Sequence, residues 1–416
     1  MKILILSAST GGGHMTAANA LKSYITQNTK SEAEVIDTLE YISPILNKTV
    51  VDGYHYMALK APKLFSAVYN TTNKENSLTS FVFYLNNQFS KKLVPLLEDF
   101  KPDVIISTHP FPTEMVSNLK EIGKISQPLV CIITDYAPHK TWINKKVDGY
   151  IVANEEMIEE MHRMGVSKEV IHPFGIPIDT SFYQKTNKET TLKELGLNPE
   201  NKTILIMAGS MGATQIFKLY KNIINVDTDF QVIVITGNNR SLYKAFQRLL
   251  YNNQNKITTE IQKVKVKSIE KISNLTKNKK FSKALNKISF PKDFGVSQKT
   301  KPTKLLFFTN EVYKYMQAAD LVITKPGGLT VSEALACNVP MALFNAIPGQ
   351  EEENADFLIR NNMAIKLENP HDTLEIIKKV LSDPDELGSM KSSCESFDKS
   401  ESNKNILSLL SQLSKN

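Results

Sequence analysis

Cysteine is scarce in this chain, and what it would have to do is correspondingly excluded. Cys131, Cys337 and Cys394 lie far apart with no Cys-x-x-Cys spacing, so no disulfide framework, zinc knuckle or dithiol redox pair is encoded, and all three are expected reduced. Long apolar runs are missing as well: no stretch approaches eighteen uninterrupted apolar residues, which excludes a spanning helix. The first residues form a short apolar strand without a cleavage pattern, so no secretion signal is read and the chain is expected to stay in the cytoplasm. No Gly-Lys-Ser/Thr is present, which removes the phosphate loop of nucleoside-triphosphate enzymes. Acidic residues are few in one place only. Between Asn252 and Lys304 fourteen lysines face Glu260, Glu270 and Asp293, a local excess of eleven, so the rest of the +7 chain is net acidic. Without an aromatic ladder or a reading motif these lysines do not point to nucleic acid.

What is there is an ordinary globular composition, 41% hydrophobic and 22% charged over 416 residues, enough for two or three domains with their own cores. The most informative stretch is Thr324-Lys325-Pro326-Gly327-Gly328-Leu329-Thr330-Val331-Ser332-Glu333-Ala334-Leu335. The apolar run Asp320 to Thr324 predicts a buried strand, the paired glycines a turn, and the periodic segment to about Asn338 a helix. Such a turn offers unpaired N–H groups and the positive end of a helix dipole, which suits a diphosphate. The spacing Thr330-x-x-Glu333 is equally that of a capping box, in which the two residues satisfy only each other's helix start. Beyond it, Pro348-Gly349-Gln350-Glu351 and the acids through Glu353 are too polar for core packing and predict a second wall of a binding site.

Thr-Lys-Pro-Gly-Gly-Leu-Thr-x-x-Glu-Ala followed by Pro-Gly-Gln-Glu resembles the nucleotide-sugar site of glycosyltransferase family 28, the group of monogalactosyldiacylglycerol synthase, the processive diacylglycerol β-glucosyltransferases and the lipid II synthase that adds N-acetylglucosamine. The resemblance implies that Glu333 holds the uridine ribose, that Gly328, Leu329 and Thr330 touch the diphosphate, and that Gln350 and Glu351 meet the donor sugar. It also implies donor contacts at Ser210 and Met211, at Gly237, and along Phe308-Thr309, where the uracil edge is met.

From the amino terminus, Lys2 to Ser7 reads as a central parallel strand, followed by Gly11-Gly12-Gly13-His14 and a helix from Met15 to about Gln27. A glycine loop after a first strand, with Asp37 about twenty residues on, outlines a dinucleotide-binding fingerprint. The third glycine would fall at Thr16, so a nicotinamide enzyme is disfavoured. The strand–glycine–histidine start resembles the amino-terminal signature of the same family, which implies Gly13 at the donor and His14 as general base. Between Ile42 and Phe89 runs an aromatic-rich region, with Val51-Asp52-Gly53-Tyr54 and Ala61-Pro62-Lys63-Leu64-Phe65, and lysines at 48, 60 and 63. It reads either as helices packing on a sheet or as a greasy surface for lipid. The Ala-Pro-Lys-Leu-Phe segment resembles the lipid-acceptor region, implying acceptor contacts at Tyr54, Pro62 and Phe65.

Strands Asp103 to Ser107 and Leu129 to Ile133 end in Thr108-His109-Pro110 and Thr134-Asp135-Tyr136, at the ends where open parallel sheets bind ligands. His109 is a satisfied core histidine or a site residue, and Asp135 a cap or a catalytic group. Thr134-Asp135-Tyr136-Ala137-Pro138-His139 resembles the glycolipid-synthase pattern, implying Asp135, Tyr136 and His139 on the acceptor side. A strand–helix series begins afresh at Thr203 to Met207 with Gly209-Ser210-Met211-Gly212, continuing through Gln231 to Ile235 and Leu305 to Phe308. Two such series predict an α/β chain of two facing, Rossmann-like doubly wound domains with a cleft between them, the architecture called GT-B. The expected division is 1–178 for the acceptor, 179–375 for the UDP-sugar with a lysine-rich insertion at 252–304, and 376–416 as terminal helices, which the resemblance implies cross back to the first domain. The insertion is either a solvated surface segment or an attachment to anionic lipid.

Sugar transfer needs a proton acceptor, stabilisation of the leaving diphosphate, and donor positioning. Histidine suits the first near neutral pH, and the Gly327–Thr330 turn with Ser210 the second. No metal or other obligatory cofactor is expected, and attack from the face opposite the diphosphate would invert the anomeric centre. The expected partners are UDP-hexose, diacylglycerol or glycosyldiacylglycerol, and an anionic membrane surface, the chain sitting peripherally on the inner face of the cell membrane. The alternatives are an N-acetylglucosamine transferase of the lipid II-synthase type, a nucleotide-sugar epimerase of similar fold, and a non-catalytic lipid binder.

Overall fold

A computed structural model describes residues 1–9, 12–44, 89–207, 213–252, 301–367 and 370–415. The aromatic region with Tyr54, Pro62 and Phe65, the Ser210-Met211 pair and nearly all of the lysine segment fall outside these residues.

The described residues form two six-stranded sheets, in agreement with the α/β, doubly wound expectation. The first is ordered β2-β1-β3-β4-β5-β6, from Lys2–Ser7 (β1), Glu32–Asp37 (β2), Val104–Ser107 (β3), Leu129–Ile132 (β4), Gly149–Ile151 (β5) and Ile171–His172 (β6), with every neighbouring pair parallel. The second is ordered β12-β11-β10-β7-β8-β9, from Thr203–Met207 (β7), Gln231–Ile235 (β8), Thr303–Leu306 (β9), Leu321–Thr324 (β10), Met341–Phe344 (β11) and Ala364–Leu367 (β12). The sequence places β9 two residues late, on Leu305 to Phe308; the strand ends at Leu306 and Phe308 is 54% exposed. Apolar content alone extends the strand there, whereas the ladder partners of β8 stop at Leu306.

The strands read as unbroken apolar runs because both faces of the sheet are covered. In β1, alternation sends Ile3 and Ile5 to one face, among Ala18, Leu21 and Ile25 of helix Gly13–Asn28 and Ile406, Leu409 and Leu410 of the last helix, Ser402–Leu413. Leu4 and Leu6 go to the other face, among Leu97 and Phe100 of helix Val94–Phe100 and Met115, Val116 and Leu119 of helix Pro110–Glu121.

By contact density one unit comprises 1–187, 321–366 and 385–416, and the other 188–320 and 367–384. In the second unit Asp320 accepts the Thr203 N–H (2.8 Å) and pairs with Lys188 (2.8 Å). In the first, Gly175 has φ of +93°, and a Cβ there would stand 2.8 Å from Lys399 Cβ. Ser402 donates to the Gly175 carbonyl and Asn403 to that of Ile178, so the carboxy-terminal segment clasps the chain where it leaves β6. Among the described residues no helix is long and apolar enough to cross a membrane.

Candidate active site

The first sheet reverses its strand order between β1 and β3, and open α/β sheets form their ligand crevice at the carboxyl ends flanking such a reversal. His14 follows β1 and Thr108 follows β3, and the two meet there. The helix after β1 starts at Gly13, earlier than the sequence predicts, with Gly12 as its cap at φ of +87°, a conformation glycine adopts without strain. His14 therefore sits in the first helical turn, half-buried. Its Nδ1 lies 2.9 Å from the Thr108 carbonyl and 2.8 Å from Thr134 Oγ1. A carbonyl only accepts, so Nδ1 carries the hydrogen and the Nε2 lone pair is left to take a proton. Burial pushes the imidazole down to about 4, partly offset by the bond to Thr108, so His14 is neutral at physiological pH.

Two other rings flank it. His109 stands edge-on at 4.7 Å between centroids and Trp142 at 6.0 Å. His109 caps helix Pro110–Glu121, its Nδ1 accepting the Phe111 N–H at 3.1 Å; burial first, then the neighbouring His14, hold it well below the usual histidine range. His139 is buried and caps the short turn Lys140–Trp142 through Thr141. Both histidines thus have structural duties in addition to the acceptor role expected of them.

The glycine turn after β10 belongs to the same unit. Helix Gly328–Ala336 is capped by Gly327, three residues before the Thr330 cap that a Thr330–Glu333 capping box would need, and no side chain caps it. The N–H groups of its first turn are accordingly not taken up by a capping side chain. A Cβ on Gly328 would lie 2.0 Å from the Thr134 carbonyl oxygen, and one on Gly13 would meet Leu329 at 3.8 Å. The turn is therefore pressed against the chain segment that carries Thr134 and Asp135, and Gly328 is required by that approach as well as by any diphosphate. Thr330 lies within the first turn of this helix. Glu333 is half-buried with no hydrogen bond to its carboxylate among the described residues. Desolvation, then the charge of Asp179, pushes it up to about 8.

Asp135 Oδ2 accepts from Gln350 Nε2 at 2.5 Å, which brings the expected acceptor-side and sugar-side residues into direct contact. Burial lifts Asp135 to about 7 against the lowering effect of Gln350 and Asn354, with Glu353 and Glu351 adding to the rise. Glu351 accepts the Ile347 N–H (2.7 Å) and pairs with the buried Lys325 (3.1 Å), and Glu352 accepts the Gly349 N–H (3.0 Å), so two of the three acids hold the loop that starts helix Gln350–Arg360. Tyr136 is enclosed. Ser332 donates to the Gly328 carbonyl at 2.9 Å, so the Tyr136 hydroxyl donates to Ser332 at 2.9 Å, while its ring packs on Phe357 and Phe397. Asn354, which sequence reasoning missed, joins these pieces; the signal was its i,i+4 spacing from Gln350 on one helix face.

In the other unit, Gly237 follows β8 at φ of +57°, Phe308 is exposed, and Thr309 Oγ1 accepts the Glu311 N–H at 3.0 Å. The chain has two Asp-x-Asp spacings, Asp227-Thr228-Asp229 and Asp383-Pro384-Asp385, of which the first precedes β8 at the end opposite the ligand edge. Among the described residues no three His, Cys, Asp or Glu side chains are grouped to hold a metal ion.

Residues 14–178 match the family described as monogalactosyldiacylglycerol (MGDG) synthase, and residues 298–397 match glycosyl transferases group 1. A processive diacylglycerol β-glucosyltransferase from Bacillus pumilus (strain SAFR-032) is 27% identical over 413 residues, spanning 98% of this chain and 93% of that protein. In fold, the chain resembles Acinetobacter baumannii MurG, with a TM-score of 0.57 at 12% identity over 99% of both chains. It also resembles Anabaena Alr3699/HepE in complex with UDP, with a TM-score of 0.53 at 16% identity over 99% and 100%. These likenesses show a GT-B-type fold.

Proposed function

We propose that this chain transfers a hexose from a UDP-sugar to diacylglycerol, a reading supported by its similarity to a processive diacylglycerol β-glucosyltransferase over nearly its whole length and to the monogalactosyldiacylglycerol synthase family over residues 14–178. The reaction inverts the anomeric centre and makes a β-glycoside. The observation that carries the chemistry is the fixed tautomer of His14: with Nδ1–H held by Thr108, Nε2 is the atom that accepts the proton of the lipid hydroxyl. An imidazole held down to about 4 is by itself a weak base. The charge of an arriving diphosphate favours imidazolium, so basicity rises when the donor is bound.

The leaving diphosphate is met by the N–H groups and dipole at the start of helix Gly328–Ala336, without an obligatory metal. Glu333, whose carboxylate has no hydrogen bond among the described residues, takes the ribose hydroxyls, whose hydrogen bonds favour its ionised form. Gln350 exchanges its bond to Asp135 for the donor sugar, leaving Asp135 to face the acceptor. A lipid acceptor places the enzyme at a membrane surface, where the lysines at 252–304 supply attraction to anionic headgroups.

The test is transfer of radiolabel from UDP-glucose or UDP-galactose into a chloroform-soluble product with diacylglycerol vesicles. Labelled glycolipid carrying one or more β-linked hexoses is expected. An epimerase or a lipid-binding protein yields no such product, and transfer only from UDP-N-acetylglucosamine would indicate the lipid II-synthase type instead.

A further inference from the structure

Asn354 is 1% exposed and makes three hydrogen bonds, two to the adjacent residues Asp135 and Tyr136 and one to the turn after β10. Its Oδ1 accepts the Tyr136 N–H at 2.8 Å, and its Nδ2 donates to the Pro326 carbonyl at 3.0 Å and to Asp135 Oδ1 at 3.4 Å. The amide orientation is fixed by its partners, since a backbone N–H can only donate and a carbonyl can only accept. Gln350, one turn earlier on the same helix face, holds the other oxygen of Asp135. Asparagine is matched to this place because it alone combines a double donor and an acceptor at this length: alanine would leave the Pro326 carbonyl and Tyr136 N–H unpaired in a dry interior.

We propose that Asn354 is a positioning residue for the transfer reaction, fixing Asp135 and, through it, Gln350 relative to the Pro326–Gly328 turn. It touches neither substrate. It sets the distance between the acceptor-side carboxylate and the turn that receives the diphosphate. The inference rests on the transferase reading above.

The experiment uses the full chain with diacylglycerol vesicles and the UDP-sugar that wild type uses, comparing wild type, Asn354→Asp and Asn354→Leu. Melting temperature and UDP affinity are measured beside kcat and KM. At about pH 7.5 both variants should lose on the order of 100-fold in kcat, the scale of a misplacement of about 1 Å, with UDP affinity within about threefold of wild type. An ionised aspartate offers no donor to Pro326 and repels Asp135, whose other charged neighbours Glu351 and Glu353 already oppose its ionisation. A protonated aspartic acid restores one donor. Relative to wild type, Asn354→Asp should therefore regain at least about tenfold on going to about pH 5.5, while Asn354→Leu regains nothing. Should the leucine variant fail to fold, the pH comparison within Asn354→Asp still decides. Near-wild-type kcat at neutral pH in either variant, or a deficit in Asn354→Asp that does not change with pH, overturns the assignment. If wild type makes no glycolipid the transferase reading fails; transfer that both variants retain ends the role of Asn354 alone.

Discussion

Groups in the site are held away from their ordinary titration in both directions, and His14 and Glu333 each give a measurable consequence. His14 is held down to about 4, so in Asp135→Asn, which removes the other titrating group, the rate should stay level as pH falls through 6.5 and decline only toward pH 4–5, the acid limb moving up when donor is saturating. His14→Ala should lose on the order of 10²–10⁴-fold in kcat while UDP affinity measured by calorimetry is kept. An acid limb at 6.5 in kcat/KM would mean that the imidazole is solvated. Glu333 is held up to about 8, so the folded chain binds a proton that the unfolded chain releases above about 4.5. Its burial is therefore increasingly unfavourable between those values and constant above. Glu333→Gln removes that cost: its melting temperature should exceed wild type by about 2–4 °C at pH 8–9 and converge on it near pH 4.5, with UDP binding weakened throughout. A difference that did not change with pH would show that the carboxyl is not desolvated.

At the scale of elements, most of the strands could be read from apolar runs, and the turn after β10 from its glycines. The reason for those glycines could not. The spacing Thr330-x-x-Glu333 fits a capping box, but the helix begins at Gly328, where the Thr134 carbonyl leaves no room for a Cβ, a tertiary contact with no local signature. Nor could the pairing of Asp135 with Gln350, 215 residues apart, be seen in either motif. Tyr136 reads as an acceptor contact in its motif and is enclosed in the structure, because the two phenylalanines that cover it are remote in sequence, Phe357 on helix Gln350–Arg360 and Phe397 just after helix Pro384–Ser396. Gly328→Ala must displace backbone and should lower stability by about 1–3 kcal/mol with most activity lost. Gly327→Ala, whose added methyl meets nothing within 4 Å, is the control and should change stability by less than about 0.5 kcal/mol in chemical denaturation. Equal behaviour of the two would remove the close approach from the account.

For the whole molecule, two doubly wound sheets were legible because each half repeats the strand–glycine–helix order, and the curated relative spans both halves. The last helix, which seals the first sheet with Ile406, Leu409 and Leu410, carries only an ordinary amphipathic pattern, so its destination is expected from the family resemblance and not from its own residues. The lysine segment lies outside the described residues, and its assignment to the membrane rests on charge. Removing residues 255–300 should spare activity on detergent-dispersed lipid and lower binding to anionic vesicles several-fold, by sedimentation, with neutral vesicles unaffected. The central claim is that a uridine diphosphate donor sits on the turn after β10 within reach of His14, and a crystal structure of the chain with UDP tests it most directly. The diphosphate is expected on the N–H groups of Gly328 to Thr330 with the ribose hydroxyls on Glu333; a nucleotide lodged elsewhere, with Glu333 still unpaired, would contradict it.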